Sequence, residues 1–162
     1  MLPNADQCVL ARTAARFVES EITPHASGWE RSGEGVPAAL LLRMGELGYF
    51  AMLVPRALGG GGLDMVSYAL VTEQFAAGDC GLCNLMNVTN SPVGTALAEH
   101  ATVAQRQHFL SPLVQGHQRA CFMLTEAAAG SDAAAIGMRA AREQHGYRLN
   151  GDKHFVTAGH SA

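Results

Sequence analysis

The chain has 162 residues, of which 48% are hydrophobic and 15% are charged, and its formal net charge is −3. Disordered chains are poor in apolar residues and rich in charge, so this composition predicts a folded protein with a hydrophobic core. Lys153 is the only lysine, and nucleic-acid binding needs a concentrated basic surface, so we expect no nucleic-acid partner. No apolar run approaches the roughly 20 residues of a membrane span. The N-terminus lacks the pattern of a signal peptide, which makes a cytoplasmic location the expectation.

The first two-thirds of the chain show helical periodicities. A helix over residues 5–22 is predicted to begin after the cap residue Asn4. It is predicted to end at Thr23-Pro24, because the residue before a proline avoids the helical region, and Trp29 then falls in a loop. Further helical patterns cover residues 37–48, 65–77, 82–99 with an interruption at Pro92, and 102–116 with a capping box at its start.

A run of four glycines, Gly59–Gly62, stands just before Asp64. A phosphate-binding loop would need a strand before the glycines and a Lys-Ser or Lys-Thr pair after them, and the sequence has neither. We therefore predict a flexible turn that leads into a helix capped by Asp64.

The cysteines and histidines do not have the spacing of a metal site. Cys80 and Cys83 form a CxxC pair, but no second pair of ligands follows at zinc-site spacing. No two of the seven histidines are three or four residues apart, as one helix face would require. We expect no metal, and we interpret the two cysteines as small buried apolar residues.

The pattern changes at Arg119, where the predicted strands begin. Residues 119–126 form a short apolar run that predicts a buried strand, and 138–143 predicts a second one. A hairpin with strands at 147–149 and 152–157 is predicted around Asn150-Gly151, the pair that type I′ turns favour.

These elements together predict an α+β fold. We expect an all-α helical domain over residues 1–117, followed over 118–162 by the beginning of an antiparallel β domain that looks incomplete.

The stretch after the first predicted strand is the strongest candidate for a ligand site. The strand delivers Thr125 and Glu126 to its exit, and a loop of small residues then ends in Gly130-Ser131. Small residues let a large ligand approach the backbone, whose N–H groups bind oxygen atoms. The pattern permits a cofactor edge, but the residues by themselves favour an ordinary loop after a strand.

Two segments resemble signatures of the acyl-CoA dehydrogenase family. Residues 124–136, LTEAAAGSDAAAI, resemble the family pattern Thr-Glu-Pro-Gly-x-Gly-Ser-Asp. Residues 147–159, YRLNGDKHFVTAG, resemble the family hairpin that ends in an aromatic residue, an aliphatic residue, Thr, Asn and Gly. Upstream, Glu46 to Tyr49, Val54-Pro55, the glycine run and 99–109 resemble the family's helical domain in order, so the resemblance covers nearly the whole chain.

The resemblance implies a flavin-dependent oxidoreductase with FAD as its cofactor and an acyl-CoA as its substrate. In this family a carboxylate removes a proton beside the thioester and the next carbon gives a hydride to the flavin. The resemblance also implies an electron-transfer flavoprotein or similar acceptor, and an oligomer for the complete enzyme. The family's catalytic glutamate lies in a C-terminal helical part, so we assign no catalytic residue here and expect this N-terminal portion to be inactive alone. The alternative is a non-catalytic truncated chain that acts as a helical binding module or partner subunit.

The matched motifs also imply roles for individual residues. Thr125 is expected to donate to the pyrimidine edge of the flavin, Ser131 to face both cofactor and acyl-CoA, and residues 84–95 to line the acyl pocket. The full set assigned to the cofactor is Phe122, Leu124, Thr125, Gly130, Ser131, Phe155 and Thr157.

Two positions depart from the family pattern. Ala127-Ala128 replaces Pro-Gly, and we expect strain at Ala128 if the family glycine needs a positive φ. Ala158 replaces an asparagine and lacks its hydrogen-bonding group. The acidic residues of the first signature are Glu126 and Asp132. We expect Glu126 to shape the loop rather than act as a base.

Overall fold

The computed structural model describes residues 2–162 and confirms the α+β class, with helices first and a small antiparallel sheet last. The α-helices are α1 Ala5–Phe17, α2 Thr23–Ser32, α3 Ala38–Glu46, α4 Met65–Gly78, α5 Cys80–Val88, α6 Thr95–His100, α7 Val103–Gln105 and α8 Ser111–Val114. Turns of π-helix at Val18–Ile22 and Arg106–Leu110 join α1 to α2 and α7 to α8, and the segment Thr89–Gly94, which kinks at the extended Ser91, joins α5 to α6. Short 3-10 turns lie at Arg56–Leu58 and Ala133–Ala135, and the strands are β1 Arg139–Glu143 and β2 Gly146–Asn150.

Helix α1 begins where the sequence predicts, but the predicted end at Thr23-Pro24 is wrong. The Asn4 side chain accepts from the Gln7 N–H at 2.9 Å, and the Gln7 side chain accepts from the Asn4 N–H at 2.9 Å. Beyond α1, the helical path continues through a π turn into α2. Pro24 lies in the first turn of α2, where a backbone N–H needs no partner within the helix. Trp29 is therefore on a helix and not in a loop.

The main core lies between α1, α4, α5 and the apolar run at residues 49–54. Phe75 of α4 is fully buried at its centre, with its ring 4.7 Å from that of Tyr49 in an edge-on contact and 6.0 Å from that of Phe17. A second, smaller cluster joins the same apolar run to α6 and α8, and consists of Ala51, Val54, Ala98, Leu110 and Val114.

The glycine run forms the predicted turn, and backbone hydrogen bonds join it to the apolar run that precedes it. The Gly61 N–H donates to the Ala51 carbonyl at 2.8 Å, and the Gly62 N–H donates to the Val54 carbonyl at 2.9 Å. A Cβ on Gly60 would collide with Val54, so the close approach of the two backbones requires glycine there. These amides bind the chain's own carbonyls, which excludes a phosphate cradle.

The predicted strand at 119–126 and the predicted hairpin at Asn150-Gly151 are wrong. β1 pairs with β2 with Glu143 opposite Gly146, so the turn is Gln144-His145. Asn150 has no positive φ, which a type I′ turn requires at both central residues. Residues 119–126 have no strand partner within 2–162, and instead of being buried, Phe122 and Leu124 are 44% and 40% exposed.

Candidate functional site

The two signature segments lie side by side. The His154 N–H donates to the Thr125 carbonyl at 2.9 Å, and the Lys153 ammonium donates to the Leu124 carbonyl at 2.7 Å. These contacts span about 29 residues of chain and place Thr125 beside the segment that carries Phe155. Two parts of the sequence that were assigned to one cofactor are thus brought together in space.

Glu126 shapes this loop, as its place in the sequence predicted. Its carboxylate forms an ion pair with Lys153 at 2.8 Å, and the two side chains are only 13% and 8% exposed. It also accepts from the Gly137 N–H at 2.7 Å and from the Met138 N–H at 3.0 Å. The hydrogen bond from Lys153 and those from the two amides lower the pKa of Glu126 to about 2. A carboxylate of such low basicity is a poor proton acceptor near neutral pH, so Glu126 is a structural residue here.

The expected strain at Ala128 is absent, and the strained backbone lies at Phe155 and Ala158 instead. Ala127 and Ala128 form the corner of a tight turn, in which Glu126 and Ala129 exchange backbone hydrogen bonds at 3.0 and 3.1 Å. Within residues 2–162, the non-glycine residues with a positive φ are Phe155 at 54° and Ala158 at 58°. Asparagine tolerates this left-handed region better than alanine does, which gives the family's asparagine a conformational reason.

The residues assigned to the cofactor present a mixed apolar and hydrogen-bonding surface. Phe155 is 94% exposed, Phe122 and Leu124 are about half as exposed, and Thr125 and Thr157 are partly buried. Gly130 and Ser131 are exposed as well. Across the described chain, no partner is seen for the backbone N–H groups of Thr125, Gly130 and Ser131. An aromatic face, three hydroxyls and free amides are the chemistry that a flavin with its diphosphate needs, so the residues present fit FAD.

One contact of this region has no signal in the sequence. The Asn84 side-chain amide on α5 donates to the Thr157 hydroxyl at 2.7 Å, across 73 residues of sequence. Asn84 falls in the range assigned to the acyl pocket, but neither its spacing nor its neighbours indicate that it contacts the second signature.

Residues 84–95 border an open cavity of about 780 Å³ next to α4. Asn87, Ser91 and Thr95 supply one wall, and α4 supplies the other, which includes Tyr68. The Tyr68 hydroxyl donates to the Asn87 amide oxygen at 2.6 Å. The cavity combines apolar walls with a few polar groups, as ligand sites do, and its assignment to an acyl group stays a prediction.

The cysteine interpretation is right for Cys83 and wrong for Cys80. Cys83 is buried, and burial raises the pKa of its thiol, whereas Cys80 is exposed at the start of α5.

In the part of the chain that the structure describes, no three His, Cys, Asp or Glu side chains are close enough to hold a metal ion. None of the helices described there has both the length and the apolar character needed to cross a bilayer.

Comparison with known proteins places this geometry in a family. The model of the acyl-CoA dehydrogenase N-terminal domain matches residues 4–117, and the model of the acyl-CoA dehydrogenase middle domain matches residues 121–162. The chain is 35% identical over 156 residues to the human mitochondrial short-chain specific acyl-CoA dehydrogenase, covering 96% of this chain and 37% of that protein. It is also 35% identical over 155 residues to 3-(aryl)acrylate reductase from Clostridium sporogenes, covering 94% of this chain and 40% of that protein.

Solved structures agree with the sequence comparisons. A glutaryl-CoA dehydrogenase from Mycobacterium smegmatis in complex with FADH2 superimposes with a TM-score of 0.91 at 31% identity, covering 99% of this chain and 41% of that one. Butyryl-CoA dehydrogenase from Megasphaera elsdenii gives a TM-score of 0.84 at 30% identity, covering 100% of this chain and 43% of that one. The chain thus spans about 40% of the length of these relatives. It belongs to the acyl-CoA dehydrogenase family.

Proposed function

We propose that these residues form part of the flavin site of an FAD-dependent acyl-CoA dehydrogenase, an oxidoreductase that introduces an α,β double bond into an acyl-CoA thioester. The observation that carries the proposal is the pairing of the two signature segments, in which His154 and Lys153 donate to the carbonyls of Thr125 and Leu124. This pairing gathers the aromatic, hydroxyl and amide groups of both segments on one surface.

Different groups of the chain are assigned to different parts of FAD. The Thr125 and Thr157 hydroxyls are assigned to the polar edge of the flavin, and the Phe122, Leu124 and Phe155 side chains to its apolar ring surface. The free amides of Gly130 and Ser131 are assigned to the anionic part of the cofactor, since backbone N–H groups bind phosphate oxygens. When bound, the flavin supplies a two-electron acceptor for substrate oxidation. A similar solved structure, a glutaryl-CoA dehydrogenase in complex with FADH2, supports a flavin as the cofactor.

The acyl-CoA assignment draws on the names of the relatives and on the cavity beside residues 84–95. The human and Megasphaera relatives are named for acyl-CoA substrates, and the cavity wall offers apolar surface with few polar groups. Ser131 is assigned to the acyl-CoA path as well as to the cofactor. Because Glu126 is held by Lys153 and has a low pKa, the removal of the substrate proton is not assigned to it; the family resemblance assigns that step to a glutamate of the C-terminal helical part.

An electron-transfer flavoprotein is proposed as the partner that reoxidises the flavin. A structure of the electron transferring flavoprotein of Acidaminococcus fermentans contains a similar chain, and another relative is a subunit of the caffeyl-CoA reductase-Etf complex of Acetobacterium woodii. The complete enzyme is proposed to be an oligomer.

A titration of the chain with FAD, followed by quenching of flavin fluorescence, tests the proposal. We expect saturable binding, and Thr125→Val should raise the dissociation constant about fivefold, because it removes one hydrogen bond and keeps the side-chain shape. The matched control is Thr102→Val in the capping box of α7, which should reduce stability by about 1 kcal/mol and leave FAD binding unchanged. Absence of saturable binding by the parent chain would contradict the proposal and favour the non-catalytic helical module.

A further inference from the structure

A side-chain hydrogen bond connects Asn84 on α5 to Thr157. Within residues 2–162, the hydrogen bond from Asn84 Nδ2 to Thr157 Oγ1, at 2.7 Å, is the one side-chain hydrogen bond that joins the helical residues before 118 to the residues after it. Asn84 lies on the second turn of α5, which packs on α4 in the main core. Its backbone is therefore fixed by the helical part of the fold, and Thr157 is held against a rigid element.

The direction of this hydrogen bond determines what Thr157 has left to offer. A hydroxyl has one hydrogen to donate and two lone pairs that accept. In the contact with Asn84 the amide donates, so the Thr157 oxygen uses a lone pair and keeps its hydrogen. No other partner of the Thr157 hydroxyl occurs in the described residues. Its hydrogen is thus available to an acceptor that arrives from outside the chain.

The backbone around Thr157 explains why an external contact is needed. Phe155 and Ala158 flank it with φ values of 54° and 58°, and non-glycine residues in this region are strained unless their surroundings hold them. Phe155 is almost fully exposed, so it contributes little packing of its own. The amide of Asn84 supplies a fixed point for the segment from a different part of the fold.

We propose that Asn84 is a positioning residue, which holds the Thr157 hydroxyl so that its hydrogen points to the acceptor edge of the flavin. This inference rests on the proposed function of Thr157 as a cofactor contact. It adds a residue of the helical domain to a site that otherwise consists of the two signature segments.

Asn84→Asp separates this role from simple bracing. The two side chains have the same shape, but a carboxylate only accepts hydrogen bonds. In the variant, Thr157 must donate its hydrogen to residue 84, so the brace between α5 and Thr157 is kept while the hydrogen is no longer free. A purely structural Asn84 would tolerate the change with its FAD binding intact.

The first measurement is the dissociation constant for FAD of the full chain and its variants, by fluorescence titration. Asn84→Asp is expected to raise the constant about fivefold, the effect of one lost hydrogen bond. The same change in a Thr157→Val background is expected to add no further loss, because the hydroxyl is already gone. Asn150→Asp adds the same charge on exposed β2 and should leave the constant unchanged. Equal effects of Asn84→Asp and Asn150→Asp, or an undiminished effect of Asn84→Asp in the Thr157→Val background, would overturn the proposal.

The second measurement needs no cofactor. The side-chain amide protons of Asn84, observed by ¹H–¹⁵N NMR, should shift upfield in Thr157→Val and stay near the parent position in Thr157→Ser, which keeps the hydroxyl. An unmoved Asn84 amide in Thr157→Val would overturn the proposal by removing its contact. If the amide shifts but the parent chain binds no FAD, the proposed function fails, and the flavin-directed role of Asn84 fails with it while the contact itself stands. The two failures are therefore distinguishable.

Discussion

Lys153 lies 2.8 Å from Glu126 in an almost buried ion pair, although the neighbouring strands β1 and β2 are exposed along their whole length. The same ammonium donates to the Leu124 carbonyl, and the same carboxylate accepts from the Gly137 and Met138 amides. A polar cluster thus joins the loop after Thr125 to the segment that follows β2.

Removal of the ammonium should loosen this region. Lys153→Met keeps most of the length of the side chain but leaves the Glu126 carboxylate and the Leu124 carbonyl without their shared donor. We expect a lower melting temperature by circular dichroism and faster hydrogen exchange at the His154 amide, which pairs with Thr125.

The matched control for this prediction is an exposed ion pair. Arg43 and Glu46 are 3.1 Å apart with side chains 59% and 66% exposed, so Arg43→Met should cost at most about 1 kcal/mol. Equal effects of Arg43→Met and Lys153→Met on the melting temperature would show that the Glu126 cluster does not hold the loop.

The stability of the chain should fall in acid through Glu126. Its pKa is about 2 when folded, against about 4.3 for an unperturbed glutamate, so between these values the unfolded state binds a proton that the folded state does not. The contribution of Glu126 is complete above about pH 4.3 and is lost as the pH falls through about 2. Urea unfolding across this range should show a smaller loss in Glu126→Gln than in the parent chain. Identical profiles of stability against pH for Glu126→Gln and the parent chain would contradict the low pKa of Glu126. The pKa of Asp64 is also lowered, by hydrogen bonds from Ser67, so part of the loss of stability in acid should persist in Glu126→Gln.

Asn90 should be one of the costliest polar residues to remove. It is fully buried, donates to the Tyr49 and Met86 carbonyls at 2.8 and 3.0 Å, and accepts from the Leu53 N–H at 3.3 Å. Asn90→Ala leaves the Tyr49 carbonyl and the Leu53 amide without their partner in the core, and we expect a loss of roughly 2–4 kcal/mol in the free energy of unfolding. Exposed Asn150→Ala should stay within about 0.5 kcal/mol of the parent. A loss for Asn90→Ala as small as that of the control would contradict this account.

The left-handed backbone at Ala158 predicts a stabilising substitution. Ala158→Asn should raise the free energy of unfolding by roughly 0.5–1 kcal/mol, because asparagine tolerates a φ of 58° better than alanine does. Ala128→Asn is the matched control, since Ala128 has no positive φ and should gain nothing. A gain at position 128 without one at 158 would show that the strain is misplaced.

The helix N-termini are the most predictable part of this fold, because they depend on local sequence signals. Asn4, Asp64 and Thr102 cap their helices as expected, because a cap needs only a side chain and an amide two or three residues away. The continuation past Pro24 was missed because a proline in the first helical turn and a proline after a helix look alike in sequence. The Asn150-Gly151 turn was wrong because strand register depends on the partner strand as well as on the turn dipeptide.

For the candidate site, motif resemblance was informative where residue patterns alone were not. The two signatures meet through Thr125 and His154, and Glu126 shapes its loop as expected. The contact between Asn84 and Thr157 could not be predicted from the sequence, because a hydrogen bond between residues 73 apart depends on the tertiary packing of α5. The sequence predicts backbone strain at Ala128, whereas the structure has it at Phe155 and Ala158, because residue type does not determine φ at a loop position.

The paired segments around Thr125 and Thr157 are proposed to form one side of a flavin site. The most direct measurement is a ¹H–¹⁵N correlation spectrum of the chain titrated with FAD. We expect saturable shifts at backbone amides of residues 122–131 and 154–159, together with the side-chain amide of Asn84, and no shifts in α1 to α3. Shifts confined to the helices, or no saturable shift in either segment, would contradict the claim.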